Sequence, residues 1–307
     1  LEIMQSCLRL LVLYLLCVAT FDKLITLSFL NFGVTIMYIT SIIIVARRYK
    51  NTKFKIINDK KLEREMLGFI SSLLFTVLAS LFRDKGLVII INIFFGLAIN
   101  AAYAISSQVM AFINTFALNF KQSVVPQIMS AFGAGDKHRM MNLILSGTKF
   151  TFLLMLMITV PLGMESSFLL KIWLKDVPEY SIQFTRLLLI NVNISSFAYF
   201  LDQGIQAVGK IKLQQFMMSS LYVLNVLAVY ICFKIGLSFY WAIYISIFVS
   251  ALQCIVNIAI AKVRISLNVL QFIKKIILRA VPLVLMSICI PYFIIYCFPP
   301  SLVRVVF

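Results

Sequence analysis

Phe82-Arg83-Asp84-Lys85-Gly86 sets three consecutive charges inside an otherwise apolar stretch running from about Met66 to Gly96. Read as a loop, the triplet splits the stretch into two membrane crossings and inverts everything downstream. Read as helix, it leaves one long crossing with charge near its middle. Ionisable groups at membrane depth are costly and usually serve a substrate, an ion or a partner charge.

The surrounding chain settles the class. It has 307 residues, 62% of them hydrophobic and 13% charged, with a mean hydropathy of +1.01. No soluble core requires that much apolar sequence. Apolar runs of about 20 residues recur, each long enough to cross a hydrocarbon layer about 30 Å thick. The sequence therefore predicts an all-α, polytopic helical membrane protein. Its spans are expected at about 2–20, 24–46, 66–96, 99–131, 142–163, 181–208, 213–235, 239–261 and 272–298, roughly nine crossings. Between them lie a charged linker (Arg47 to Arg64), a small-residue turn at Gly133-Ala-Gly-Asp136 and an interfacial segment from Glu165 to Tyr180. Shorter turns fall near Gly209, Gly236 and Ser266.

Lys and Arg favour the cytoplasmic side of a membrane. With the Arg47 to Arg64 linker inside, alternation also places Lys137, Arg139, Lys210, Lys212, Lys262, Arg264, Lys274, Lys275 and Arg279 inside. Lys23, Lys171, Lys175, Lys234 and Arg304 then face out, which gives 17 basic residues inside against five outside. Treating Arg83 to Lys85 as an exterior loop adds a crossing and leaves 12 on each side. The bias favours one helix over 66–96, about 45 Å long at 1.5 Å per residue, with the triplet at membrane depth.

The basic excess, 28 Lys+Arg against 11 Asp+Glu, would suggest a nucleic-acid surface on a soluble chain. Placed between apolar runs it reads as an orientation signal that meets anionic lipid headgroups, so membrane lipid and no nucleic acid is the expected partner. The six cysteines all fall within apolar runs and show no C-x-x-C spacing, so neither disulfide framework nor zinc site is expected. The single histidine, His138, sits between Lys137 and Arg139 in an inside turn, the setting of a solvated loop residue. No G-x-x-x-x-G-K-[ST] loop is present. The sequence points to no enzyme, no metal and no cofactor. Asp136 reads as the cap of the helix that follows the turn.

Neighbouring residues on a helix differ by about 100° in direction, so Arg83, Asp84 and Lys85 cannot share one face. Gly86 beside them invites a kink or a loosened backbone. Two readings stand: Asp84 pairs with one cation in a self-neutralising cluster, or Arg83 or Lys85 projects into a cavity and meets an anionic substrate. The fourth span is interrupted by Asn100, Ser107, Gln108, Asn114, Asn119, Lys121 and Gln122, and the sixth by Arg186, Asn191, Asn193, Asp202, Gln203 and Gln206. Interhelical hydrogen bonds would account for much of this, whereas Arg186 lies within reach of an interface to which it can snorkel. Candidate substrate contacts are Arg83 and Lys85, then Arg186 and Lys121, with Asn100, Gln108 and Asn114. Asp84 and Asp202 are candidate charge partners or coupling groups.

Leu1 is not an initiator Met, and the chain starts at once on a helical pattern; after Pro299-Pro300 a new apolar run begins and stops. The expectation is a fragment of a longer protein, cut at both ends.

Asn92-Ile-Phe-Phe-Gly96, Asn100-Ala-Ala-Tyr-Ala-Ile-Ser-Ser-Gln-Val109, Pro126-Gln-Ile128, Ala134-Gly-Asp136, Ile172-Trp-Leu174, Val177-Pro-Glu-Tyr180 and Gln206-Ala-Val-Gly-Lys-Ile211 stand in this order. In series they resemble the bacterial polysaccharide, or O-antigen, flippases (Wzx-like), relatives of the MATE exporters in the MOP superfamily. The resemblance runs over essentially the whole chain. It implies two six-helix lobes packed around a central cavity, with residues 1–46 as the last two helices of the N-terminal lobe. Residues 47–65 would be the cytoplasmic inter-lobe linker, 66–265 the C-terminal six-helix lobe and 266–307 a truncated additional helix. Most of the first lobe and the last helix would be missing, leaving a fragment not competent to transport.

The implied function is translocation of a polyprenyl-pyrophosphate-linked oligosaccharide across the bacterial inner membrane by alternating access of the lobes, for cell-surface polysaccharide and lipopolysaccharide biosynthesis. The implied partners are the lipid-linked oligosaccharide and other polysaccharide-assembly proteins. Cavity charges vary across that family, so no residue role is carried over from it. A MATE-type cation-coupled drug exporter is the nearest rival, but it favours acidic cavity residues, whereas this chain offers mainly basic ones. From a different class, a membrane-embedded polysaccharide polymerase or ligase would act on the same carrier. It would need a large exterior catalytic loop, and the segment from Glu165 to Tyr180 is short and partly apolar. A purely structural membrane subunit is the remaining alternative.

Overall fold

The computed structural model describes residues 7–12, 14, 16, 23–47 and 59–297. All regular secondary structure among them is helical, and six helices are long and apolar enough to cross a membrane. The expected span 2–20 lies partly outside the described residues, as do most of the linker (48–58) and the chain after 297. Two compact units are formed, Leu1–Lys60 and Lys61–Phe307.

In the first unit, α1 (Lys23–Arg47) is 25 residues of nearly unbroken apolar sequence. Three of its hydroxyls are satisfied within the helix: Thr35, Thr40 and Ser41 each donate to the carbonyl four residues back at 2.7–2.8 Å. A helix that closes its own polar groups in this way suits an apolar solvent. Phe29, Phe32 and Met37 are exposed.

The second unit begins with α2 (Lys60–Gly133), 74 residues interrupted once, at Gly96, where φ is 77° and ψ −175°. That conformation is essentially restricted to glycine. It divides α2 into α2a, residues 60–95, and α2b, residues 97–133. On a straight helix Thr76 and Lys121 would stand about 68 Å apart at 1.5 Å per residue, yet both line one cavity, so the chain doubles back at Gly96. The helix runs unbroken through Arg83, Asp84 and Lys85, as the charge bias required. Gly86 shows no kink; a Cβ there would lie 3.3 Å from Val226, so its role is close packing. Gly96→Ala meets no neighbour within 4 Å but must adopt the strained backbone. It should lower stability by about 1–3 kcal/mol, read as thermal unfolding in detergent, while Gly133→Ala, a glycine with open space and no positive φ, should stay within about 1 kcal/mol.

Eight further helices and one π-helical turn follow among the described residues. Helix α3 (Lys137–Met164) starts at Asp136, whose carboxylate accepts from the Arg139 backbone N–H at 2.8 Å, the cap expected from sequence. Short α4 (Ser166–Trp173) follows, and then a crossing made of two pieces, α5 (Ser181–Ser196) and α6 (Tyr199–Ala207). Helices α7 (Lys212–Lys234) and α8 (Trp241–Arg264) form an antiparallel pair joined through Gly236, whose φ is 90°. After α9 (Val269–Phe272) and a π-helical turn at Ile273–Ile277 comes α10 (Leu278–Cys297).

Packing falls into layers. One apolar cluster gathers Leu87, Ile91, Tyr103, Phe184, Phe233 and Ile243; another gathers Ile128, Ile144, Phe200, Ile205, Ile260 and Phe272. Within the second, Gly147 and Gly204 let α3 and α6 approach, since a Cβ would meet Phe200 at 3.0 Å and Ile144 at 2.5 Å. Small residues at such contacts are the usual device of membrane helix packing. Large apolar side chains such as Phe75, Phe82, Ile93 and Leu97 remain exposed, a surface suited to lipid and not to water.

Candidate functional site

Between the two apolar clusters lies a polar layer around a cavity of about 420 Å³. Its walls come from the middles of α2a, α2b, α5, α6, α7 and α8, and its charged lining consists of Arg83, Lys121 and Asp202.

The interruption in the sixth crossing builds part of this layer. At Phe197 and Ala198 the backbone N–H groups reach carbonyls only three residues back, Ile194 and Ser195, at 3.4 and 3.1 Å. The tightened turn ends α5 and starts α6, which places Asp202 in the first turn of a new half-helix. The exposed N–H groups of a helix start favour a negative charge there.

Asp202 is well supplied with donors. Gln214 Nε2 donates to Oδ1 at 2.9 Å, while Gln203 and Gln206 Nε2 donate to Oδ2 at 3.1 and 2.8 Å. The same Gln214 Nε2 donates to Asn257 Oδ1 at 2.7 Å, tying α6 to α7 and α8. Lys121 Nζ stands 3.9 Å from Asp202 Oδ2, inside Coulomb range but beyond hydrogen-bond distance. The ammonium therefore has a nearby counter-charge and three N–H donors without an acceptor among the described residues.

Arg83 is held differently. Its Nε and Nη2 both donate to Asp84 Oδ1, at 2.9 and 2.7 Å, and its guanidinium carbon lies 4.6 Å from the centroid of the Tyr222 ring. The ion pair and the cavity position coexist, so the two sequence readings of the triplet are not exclusive. Thr76 fixes this face of α2a to α7 by donating to Gln215 O at 3.1 Å and sharing a hydrogen with Ser219 Oγ at 2.9 Å.

The neutral lining is equally ordered. Tyr199 Oη donates to Asn114 Oδ1 at 2.8 Å. Asn191 Oδ1 and Gln253 Nε2 are buried without a partner, although both residues line the cavity. Each is an unsatisfied polar atom packed into the cavity wall.

The nine candidate residues thus divide. Arg83, Asn114, Lys121 and Asp202 meet at one cavity, and Asp84 holds Arg83 from outside the lining. Lys85 and Gln108 are exposed and line no part of it. Asn100 is half-buried with Oδ1 unpartnered, again apart from the cavity. Arg186 lies at a separate, apolar crevice. Gln214, Gln253 and Asn257, on the seventh and eighth spans, belong to the site yet were not singled out from sequence. Their signal was visible: amides at 253 and 257 recur at helical spacing in an apolar run. Among the described residues no group of three His, Cys, Asp or Glu side chains is placed to hold a metal.

No protein-family model, no curated protein and no solved structure matches this chain.

Proposed function

We propose that the chain forms part of a transporter that moves a polyprenyl-pyrophosphate-linked oligosaccharide between membrane leaflets, with the polar cavity receiving the pyrophosphate and the sugars next to it. The observation that carries this reading is the state of Lys121: a cation at membrane depth whose counter-charge is already saturated by three glutamine amides. A phosphoryl oxygen would gain a charge-assisted hydrogen bond there without having to break one. Arg83 adds a second cation, and polar side chains such as Asn114 and Gln206 line the same cavity, the kind of lining that suits sugar hydroxyls. The volume of about 420 Å³ lies within the usual range for small-molecule sites, about 300–1,000 Å³. The prenyl chain would stay in lipid, and rocking of one lobe against another would expose the cavity to each side in turn. The ordered sequence motifs support the same class. A drug exporter needs a free carboxylate for its cation, whereas Asp202 is bonded to amides and Asp84 to Arg83.

The test is complementation with the complete gene in a strain lacking its chromosomal copy, scoring surface polysaccharide at matched protein level. Arg83→Ala should lower output severalfold and Lys85→Ala should leave it unchanged, because only the first lines the cavity. Wild-type output from Arg83→Ala, or equal loss from both, defeats the proposal.

A further inference from the structure

A second cavity has the opposite chemistry. About 830 Å³ in volume, it lies between α3, α5 and α10 and is walled by side chains such as Phe152, Leu156, Ile190, Phe197, Val281 and Leu285. The nitrogen of its amide is occupied: Asn193 Nδ2 donates to Thr159 Oγ1 at 2.7 Å and to Leu189 O at 2.9 Å, while Oδ1 is buried without a partner. Among the described residues lining it, Arg186 is the only charged one.

We infer that this crevice holds one acyl chain of an anionic phospholipid, with the lipid phosphate on Arg186. The arginine is fixed by a single nitrogen, Nε, which donates to Gly163 O at 2.9 Å and to Ser166 Oγ at 3.1 Å. Its two terminal nitrogens carry four N–H donors with no acceptor among the described residues. The planar fork is thus oriented in advance and turned over to a partner, the arrangement that suits bidentate recognition of phosphate.

Two observations put Arg186 at headgroup level. It bonds the junction of α3 and α4, where one crossing ends. It also lies six residues from Tyr180, which packs against Phe239 and Tyr240 in an aromatic group continued by Trp241 and Tyr244. Clusters of Tyr and Trp of this kind mark the membrane interface. From Gly163 down to Phe152 the crevice follows about 16 Å of α3 at 1.5 Å per residue, close to half of a hydrocarbon core about 30 Å thick. The length matches one leaflet. A chain entering beside the arginine would fill the crevice and stop near the midplane, in contact with α10. This inference does not rest on the transport reading.

The full chain, purified in detergent, is to be titrated with phosphatidylglycerol and with phosphatidylcholine, and bound lipid counted by native mass spectrometry. Wild type should bind phosphatidylglycerol at least tenfold more tightly. Arg186→Gln should abolish that preference, and Val281→Trp, which narrows the crevice from an exposed wall position, should weaken both lipids. Thermal unfolding of each variant shows that the fold is kept; if Arg186→Gln does not fold, Val281→Trp alone decides. Equal affinity for the two lipids overturns the inference, as does unchanged phosphatidylglycerol binding in Val281→Trp, which would leave only a headgroup on an exposed arginine. Polyprenyl phosphate binding tenfold more tightly than phosphatidylglycerol would make the occupant a carrier lipid. A dimer dispersed by Val281→Trp would make it a second copy of the chain. Either result also overturns the inference.

Discussion

Lys121→Gln is expected to cut the rate at which labelled polysaccharide reaches the cell surface at least tenfold, with protein level and thermal midpoint close to wild type. The ammonium is 3.9 Å from Asp202 and makes no hydrogen bond to it, so its removal should cost the fold little, about 0–1 kcal/mol as for weak ion pairs. A hydrogen bond from a cation to a charged acceptor contributes about 1.5–3 kcal/mol, and each 1.4 kcal/mol is about a factor of ten. The loss should therefore appear in transport and not in stability. Wild-type rates from this variant would mean that the cation never meets substrate. A collapse of protein level would mean that it serves packing instead.

Asp202→Ala is expected to have the inverse profile, a loss of about 2–4 kcal/mol in stability measured by thermal unfolding in detergent. The substitution leaves Gln203, Gln206 and Gln214 donating to nothing on one side and Lys121 without a counter-charge. A buried polar group left unpaired costs about 1–3 kcal/mol, and water in the partly open cavity offsets some of the total. Asp202→Asn keeps one acceptor oxygen and should lose roughly half as much. Double-mutant cycles separate the contributions: coupling of Asp202 to Gln214 should exceed its coupling to Lys121. The reverse order would show that the ion pair, and not the amide cage, anchors the half-helix.

The long crossing and its neighbour were legible because each signal was local or additive. Gly96 is the residue at which α2 turns, and the expected spans met between 96 and 99. Asp136 caps the helix it precedes. The loop-charge bias kept Arg83 to Lys85 inside one helix. What could not be read was direction. Arg83 and Lys85 are two residues apart, about 200° around the helix, and which one faces inward is decided by the packing of Gly86 on Val226 and of Thr76 on Gln215 and Ser219. Those partners lie on α7, about 140 residues away in sequence. Arg186 shows the same limit, since its polar pattern suits either a wet cavity or an interface, and only the junction at Gly163 and Ser166 distinguishes them. The break after Ser196 carried no Gly or Pro to announce it.

The two apolar clusters on either side of the polar layer also bear on leakage. Side chains such as Phe184 and Phe233 stand toward one end of the layer and Ile144 and Phe200 toward the other, so a small ion beside Lys121 or Asp202 would have to shed its hydration to pass either end. Apolar constrictions of this kind resist wetting. If the proposed transport holds, opening one cluster at a time would keep an apolar barrier to hydrated ions in place at the other end throughout each cycle.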